Sequence, residues 1–178
     1  MFDNTVVKSL RSGHVIVLPT DTVYGLACSV FNPQAVKAMY NLKKREGKPG
    51  TVIASDTKQL LALGFLVDEI TRAETYWPAP VSIILSAPDS LAYLHMGLHS
   101  LAVRIPADEP LRMLLKKTGP LATTSANFSG EPTVTSVLQA KKLFGEKIAL
   151  YIDGGDLSGR IPSEIIRIAK DGSIERLR

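Results

Sequence analysis

The sequence holds a single cysteine, Cys28. It can therefore close no internal disulfide and build no cysteine-rich zinc site. No apolar run approaches the ~18 residues that a membrane span needs. Met1-Phe2-Asp3-Asn4-Thr5 lacks the basic-then-apolar order of a secretory leader. These absences predict a cytoplasmic protein without membrane attachment. No repeat or low-complexity linker divides the 178 residues, which predicts one domain over 1–178. Two nucleotide fingerprints are also missing, the Gly-x-x-x-x-Gly-Lys-Ser/Thr loop and Gly-x-Gly-x-x-Gly, so any nucleotide must bind by another design. The histidines, His14, His95 and His99, show no metalloprotease spacing, and there is no Gly-x-Ser-x-Gly elbow. His14 reads as a strand-edge residue, and His95 and His99 as loop or surface residues, since Met96-Gly97 argues against a helix there.

What is present suffices for a core. The chain is 45% apolar and 21% charged, the composition of a compact globular domain, and a chain of this size buries roughly 70% of its unfolded surface. Apolar spacing alternates between helical and extended periods along the length, predicting an α/β domain with a sheet covered by helices. Helices are expected around Val6–Leu10, from Asn32-Pro33 through Leu42, and over 68–76, 111–117 and 137–144. Strands are expected over 15–18, around Leu26-Ala27-Cys28-Ser29-Val30, and over 51–54, 81–85, 101–105 and 121–124. The short strands 148–152, 164–168 and 173–177 complete the set and favour a mixed sheet over a purely parallel one. Cys28, inside an apolar strand, reads as an inert thiol.

Charge is 21 Lys+Arg against 17 Asp+Glu, formally +4. Lys43, Lys44, Arg45 and Lys48 concentrate cations at the end of the second helix, broken only by Glu46. A solvated helix end would explain them, because cations favour the negative pole of the helix dipole. Three segments are polar where a strand has just ended, the place where open α/β sheets commonly bind ligands. They are Pro19–Gly25, Thr123–Gly130, and Asp153-Gly154-Gly155 with Ser158-Gly159-Arg160. Their hydroxyls, amides and glycines suit phosphates and sugar hydroxyls, and equally suit ordinary turns.

The combination is more specific than its parts. Pro19-Thr20-Asp21-Thr22-Val23-Tyr24-Gly25-Leu26, Lys43-x-Arg45, Ser100-Leu101-Ala102-Val103-Arg104, Ser125-Ala126-Asn127-x-Ser129-Gly130 and Pro162-Ser163-Glu164-Ile165-Ile166 follow one another in order. In that order and spacing the chain resembles the YrdC-like family of threonylcarbamoyl-AMP synthases, from about Val15 to the C-terminus. The resemblance implies an open twisted mixed sheet covered by helices, with a large basic cavity. It implies a nucleotidyltransferase that makes threonylcarbamoyl-AMP and pyrophosphate from L-threonine, bicarbonate and ATP, for the threonylcarbamoyladenosine modification of tRNA. By the family pattern, Lys43 and Arg45 are catalytic. Arg45, Lys48, Ser100, Asn127, Thr135 and Arg176 contact ATP. Thr22, Arg104 and Ser163 hold threonine, with Ser125 near the junction. Mg²⁺ arrives with ATP, and no protein side chain is expected to hold a metal. The partners implied are tRNA and the proteins that transfer the group to it, and a monomer or weak dimer is expected.

Attack on the α-phosphate brings two anions together, so Lys and Arg there supply electrostatic stabilisation. A planar guanidinium such as Arg104 suits a carboxylate. The chain departs from the pattern at Glu46-Gly47, where the family has proline after the Arg and a loop one residue longer. It resembles the short, stand-alone form. A non-catalytic RNA-binding protein of the same fold is the alternative, in which the basic cavity holds phosphates of structured RNA. Carbamoyl transfer to another acceptor, as in family members fused into hydrogenase-maturation proteins, is a third reading.

Overall fold

The computed structural model describes residues 2–43 and 47–178, and among them nine strands form one sheet. The first helix, α1 (Asn4–Arg11), starts at Asp3, whose Oδ1 accepts from the amides of Thr5 and Val6. These donors would otherwise be orphaned at a helix start. Its buried stripe is Val6, Val7 and Leu10. β1 (Ile16–Pro19) and β2 (Tyr24–Ser29) form an antiparallel hairpin. α2 (Pro33–Leu42) opens as its residues predict, with Asn32 Oδ1 accepting from Ala35 N at 2.9 Å and Pro33 in the first turn. There follow β3 (Thr51–Ile53), α3 (Thr57–Ala62), α4 (Val67–Ala73), β4 (Val81–Ser86), α5 (Ala92–His95) and β5 (Ser100–Arg104). The chain continues through α6 (Glu109–Thr118), β6 (Leu121–Ser125), α7 (Val137–Phe144), β7 (Leu150–Tyr151), β8 (Glu164–Ile168) and β9 (Ile174–Arg176).

The strand order is β7-β1-β2-β6-β3-β5-β4-β8-β9. Three neighbour pairs, β1–β7, β3–β5 and β4–β8, are parallel and the rest antiparallel, so the sheet is mixed. Registered partners share a face. Val52, Val103 and Ile83 stand in one row and belong to the larger core, with residues of α2, α4 and α7. Ile53 and Leu121 face the other way, into a second core with Leu111, Leu114 and Leu115 of α6 and the buried stripe of α1. On this second face the next row along holds Thr51, Ala102 and Thr123. These residues line a cavity instead of meeting a helix.

The structure adds two helices that periodicity does not reveal, α3 and α5, each too short to complete an apolar stripe. It also corrects the reading of His95. His99 and His14 are exposed as expected, but His95 is the last residue of α5 and is buried. Met96 takes a left-handed conformation, φ 53°, which turns the chain back so that Gly97 N and His99 N both donate to His95 Nδ1, each at 3.2 Å. Cys28 is fully buried within β2, and burial pushes its thiol up to about 12, as expected for an inert cysteine. Among the described residues no helix is long and apolar enough to cross a membrane.

Candidate active site

The β1–β2 hairpin supplies the first wall of the cavity. Thr20 Oγ1 donates to Val23 O at 2.7 Å and accepts from Thr22 N at 3.2 Å, and the hydroxyls of Thr20 and Thr22 lie 3.0 Å apart. This side-chain turn, made by the sequence's own threonines, holds Thr22 over the bare rows of the sheet. Tyr24, buried at the start of β2, donates to Gly155 O and accepts from Gly154 N, both at 2.8 Å. It thereby ties the third polar segment to the hairpin, and burial raises its pKa.

The cavity measures about 100 Å³, the scale of a small molecule. Thr22, Arg104, Ser125 and Ser163, the four residues expected around threonine, all line it. Gly50 lines it as well, in a place where a Cβ would come within 2.5 Å of Thr123 O. Only glycine allows the backbone to run that close to β6.

Arg104 is the charged centre of the cavity. Its side chain is 5% exposed and its Nη2 lies 3.1 Å from Oδ1 of Asp21, itself 3% exposed. Nη1 donates to Ser82 Oγ at 3.3 Å, and the Ser82 and Ser163 hydroxyls are 3.0 Å apart. Burial pulls the Arg104 pKa below its ordinary value, Asp21 opposes that shift, and the charge of Arg178 adds to it. Arg104 Nε is buried without a hydrogen-bond partner, and the Asp21 Oδ1 contact is an ion pair lacking hydrogen-bond alignment. A buried donor left unmade costs roughly 1–3 kcal/mol, so the guanidinium that lines this cavity is held there with one donor unsatisfied.

A second cluster adjoins the first through Ser125. Lys43, the C-terminal cap of α2, is buried and not solvated. Its Nζ donates to Ser125 O at 2.9 Å, to Asn127 Oδ1 at 2.5 Å and to Ser125 Oγ at 3.3 Å. Ser125 Oγ donates to Asn127 Oδ1 at 2.7 Å, and Asn127 Nδ2 donates to the Glu131 carbonyl. Lys43 thus meets Ser125 and Asn127, more than eighty residues on in sequence, beside this cavity.

The remaining expected nucleotide contacts are more dispersed. Lys48 is exposed, next in the chain to Pro49 and Gly50 of the cavity wall. Ser100 shares the face of Ala102 and Arg104 by strand alternation but stands at the other end of β5, roughly 13 Å from Arg104 at ~3.3 Å per residue. There it lines a separate depression with Glu69, Arg72 and Arg167. Thr135 lies in the segment before α7, its amide donating to Gln139 Oε1 at 2.8 Å. Arg45 lies outside the described residues.

The structure does not bring Arg176 to the cavity. It registers with Ile166, on the face opposite Ile165, and its Nε pairs with Glu164 Oε1 at 2.6 Å. Arg178 lines the cavity instead. Its Nε and Nη2 donate to Ser163 O at 3.1 and 2.9 Å, and Nη2 reaches Ser163 Oγ at 3.3 Å. Leu177 N and Arg178 N both donate to Ile165 O, a bulge-like break that interrupts alternation after Arg176. Arg178 on the cavity wall, and Asp21 and Ser82 in contact with Arg104, are the residues that sequence reasoning left without a role. Asp21 alone carried a signal, its place between the two threonines of the hairpin. The group of described residues with metal-ligand spacing, Asp89, His95 and His99, is not part of the cavity lining.

The fold and the sequence are shared with known proteins. The Sua5/YciO/YrdC family model, described as telomere recombination, matches residues 8–178. A Coxiella burnetii protein named threonylcarbamoyl-AMP synthase is 37% identical over 179 residues, covering 98% of this chain and 96% of that one. A Vibrio campbellii protein of the same name is 32% identical, with 96% of each chain covered. The crystal structure of P. abyssi Sua5 complexed with L-threonine superposes with a TM-score of 0.87 at 30% identity, over 98% of this chain and 52% of that chain. This chain thus spans about half the length of that Sua5.

Proposed function

The chain belongs to the Sua5/YciO/YrdC family, and from that premise we propose that it is an L-threonylcarbamoyladenylate synthase, joining threonine, bicarbonate and ATP. The observation that carries this reading is the small cavity walled by Thr22, Ser125 and Ser163 and centred on the guanidinium of Arg104. Threonine offers a carboxylate for that guanidinium and a hydroxyl for the serine and threonine side chains. A non-catalytic RNA-binding protein has no use for such an amino-acid-sized enclosure.

In this mechanism the threonine amine attacks bicarbonate, forming the N–C bond and releasing water to leave a carbamate. A carbamate oxygen then attacks the α-phosphorus of ATP. The bond from that phosphorus to the bridging oxygen breaks, and pyrophosphate leaves. No covalent enzyme intermediate forms, and catalysis is positioning and charge stabilisation. Arg104 orients the carboxylate, and Ser125 sits where the amino-acid cavity meets the Lys43–Asn127 cluster. Within that cluster the 3.3 Å contact from Lys43 to Ser125 Oγ is the longest of the three, the one most readily exchanged for a phosphate oxygen. Arg45 and Lys48, which follow α2 in the sequence, add charge. The adenosine extends along the uncovered face toward Ser100. Mg²⁺ enters on the ATP phosphates as part of the substrate. The product is consumed in the cytoplasm by proteins that transfer the threonylcarbamoyl group to tRNA.

The test is pyrophosphate release from ATP with Mg²⁺ and bicarbonate, with and without threonine, the acyl-adenylate being followed by mass. Release that requires both threonine and bicarbonate is expected. Threonine-independent release, or no threonine binding by calorimetry, overturns the proposal.

A further inference from the structure

We propose that Asp21 is a positioning residue for the substrate carboxylate, acting through Arg104. The inference rests on the threonine-site reading above and adds a residue to it.

Three observations converge on Asp21. The first is its place between two elements: Oδ2 accepts from Ala107 N at 3.1 Å, just past β5, while Oδ1 meets Arg104 Nη2 at 3.1 Å. The hairpin turn of Thr20 and Thr22 holds the intervening backbone. The carboxylate is therefore anchored independently of Arg104 and can set where the guanidinium lies. The second is that the contact is single-sided. A guanidinium presents five donors in a planar fork. Asp21 faces Nη2, Ser82 Oγ accepts from Nη1, and Nε has no partner. With Nη1 and Nη2 both engaged, the planar fork cannot rotate freely, and its orientation at the cavity wall is set from the Asp21 side.

The third observation is charge. Arg104 and Arg178 bring two positive charges to the cavity wall, and Asp21, paired with Arg104 outside the lining, offsets one of them, leaving one positive charge for an anionic ligand. Without Asp21, the buried Arg104 would face Arg178 uncompensated. Burial first, and the charge of Arg178 after it, already lower the Arg104 pKa, and without Asp21 both would act on a fork free to swing away. A carboxylate that holds a ligand-contacting side chain from behind commonly governs how well that side chain binds.

The test compares Asp21→Asn, Arg104→Gln and the double variant in threonine-dependent pyrophosphate release. KM for threonine and for ATP are measured separately, and unfolding midpoints are recorded alongside. Asp21→Asn is expected to raise the threonine KM on the order of 10- to 100-fold while the ATP KM moves less than about twofold. In the Arg104→Gln background it should add little, because the two residues act as one unit. A purely structural role would lower the midpoint and change both KM values together. A threonine KM near wild type in Asp21→Asn, with Arg104→Gln strongly impaired, overturns the proposal. So does a full additive effect in the double variant. A wild-type threonine KM in Arg104→Gln refutes the threonine-site reading itself. Should Asp21→Asn fail to fold, Asp21→Glu keeps the charge and displaces the carboxylate by one methylene. A raised threonine KM at unchanged ATP KM then supports the role, and an unchanged one overturns it.

Discussion

Replacing Lys43 by methionine separates two roles that its position allows, a strut and a phosphate ligand. Methionine keeps most of the apolar stem and deletes the ammonium. The hydrogen bonds to Ser125 and Asn127 disappear, but their acceptors are not all orphaned. Ser125 O still receives Asn127 N at 3.0 Å, and Asn127 Oδ1 still receives Ser125 Oγ at 2.7 Å. The structural loss is therefore near that of a single charged hydrogen bond, about 1.5–3 kcal/mol. In a domain of this size that lowers Tm by about 3–12 °C. The catalytic loss is separate: withdrawing a fixed charge from the reacting phosphates costs on the order of 10²–10³ in kcat. Thermal unfolding measures the first, and initial rates of pyrophosphate release at saturating threonine and ATP measure the second. A Tm that falls as calculated while kcat stays within about threefold refutes the phosphate role. Lys43 would then be a strut tying the end of α2 to the end of β6.

The cavity-side arginines make a second prediction. Arg178→Gln should lower kcat/KM by about tenfold more than Arg176→Gln, since Arg178 meets Ser163 in the cavity while Arg176 pairs with Glu164 outside it. Steady-state kinetics that reverse the order would show that the bulge after Arg176 is not present in solution. A third concerns Cys28, whose thiol is held at about 12 against an ordinary 9.0. Between those values the folded chain keeps a proton that the unfolded chain has lost, so stability falls as pH rises, by up to about 1.4 kcal/mol per pH unit from this group. Urea unfolding from pH 9 upward should show Cys28→Ala losing stability less steeply than wild type. Pyrophosphate release near neutral pH should match wild type, and loss of turnover in the folded variant would refute the assignment of an inert thiol.

Much of the fold was legible because its signals are local. The buried stripe of α1, the Asn32 cap of α2, the whole of α7 and the strand β8 follow from spacing and capping within a few residues. The short helices α3 and α5 do not, since neither is long enough to complete an apolar face. Helix-end electrostatics suggested solvated cations after Leu42, yet Lys43 is buried because Ser125 and Asn127, on the far side of the sheet in sequence, supply its acceptors. The motif order marked Thr22, Arg104, Ser125 and Ser163, and all four line one cavity. It left Ser82 without a role, because a serine inside an apolar strand carries no signal until its partners Arg104 and Ser163 are seen.

By itself the sequence determined the class of fold, the polar segments at strand ends and the residue types that chemistry on an amino acid and a nucleotide requires. Those are properties of composition, period and order along the chain. Only the tertiary structure decided which charges face one another. Asp21 meets Arg104 because the β1–β2 hairpin folds over the end of β5, and Arg178 replaces Arg176 at the cavity because two successive amides share the carbonyl of Ile165. Pairings of that kind depend on strand order and register. A single residue of slip there moves a side chain to the opposite face of the sheet.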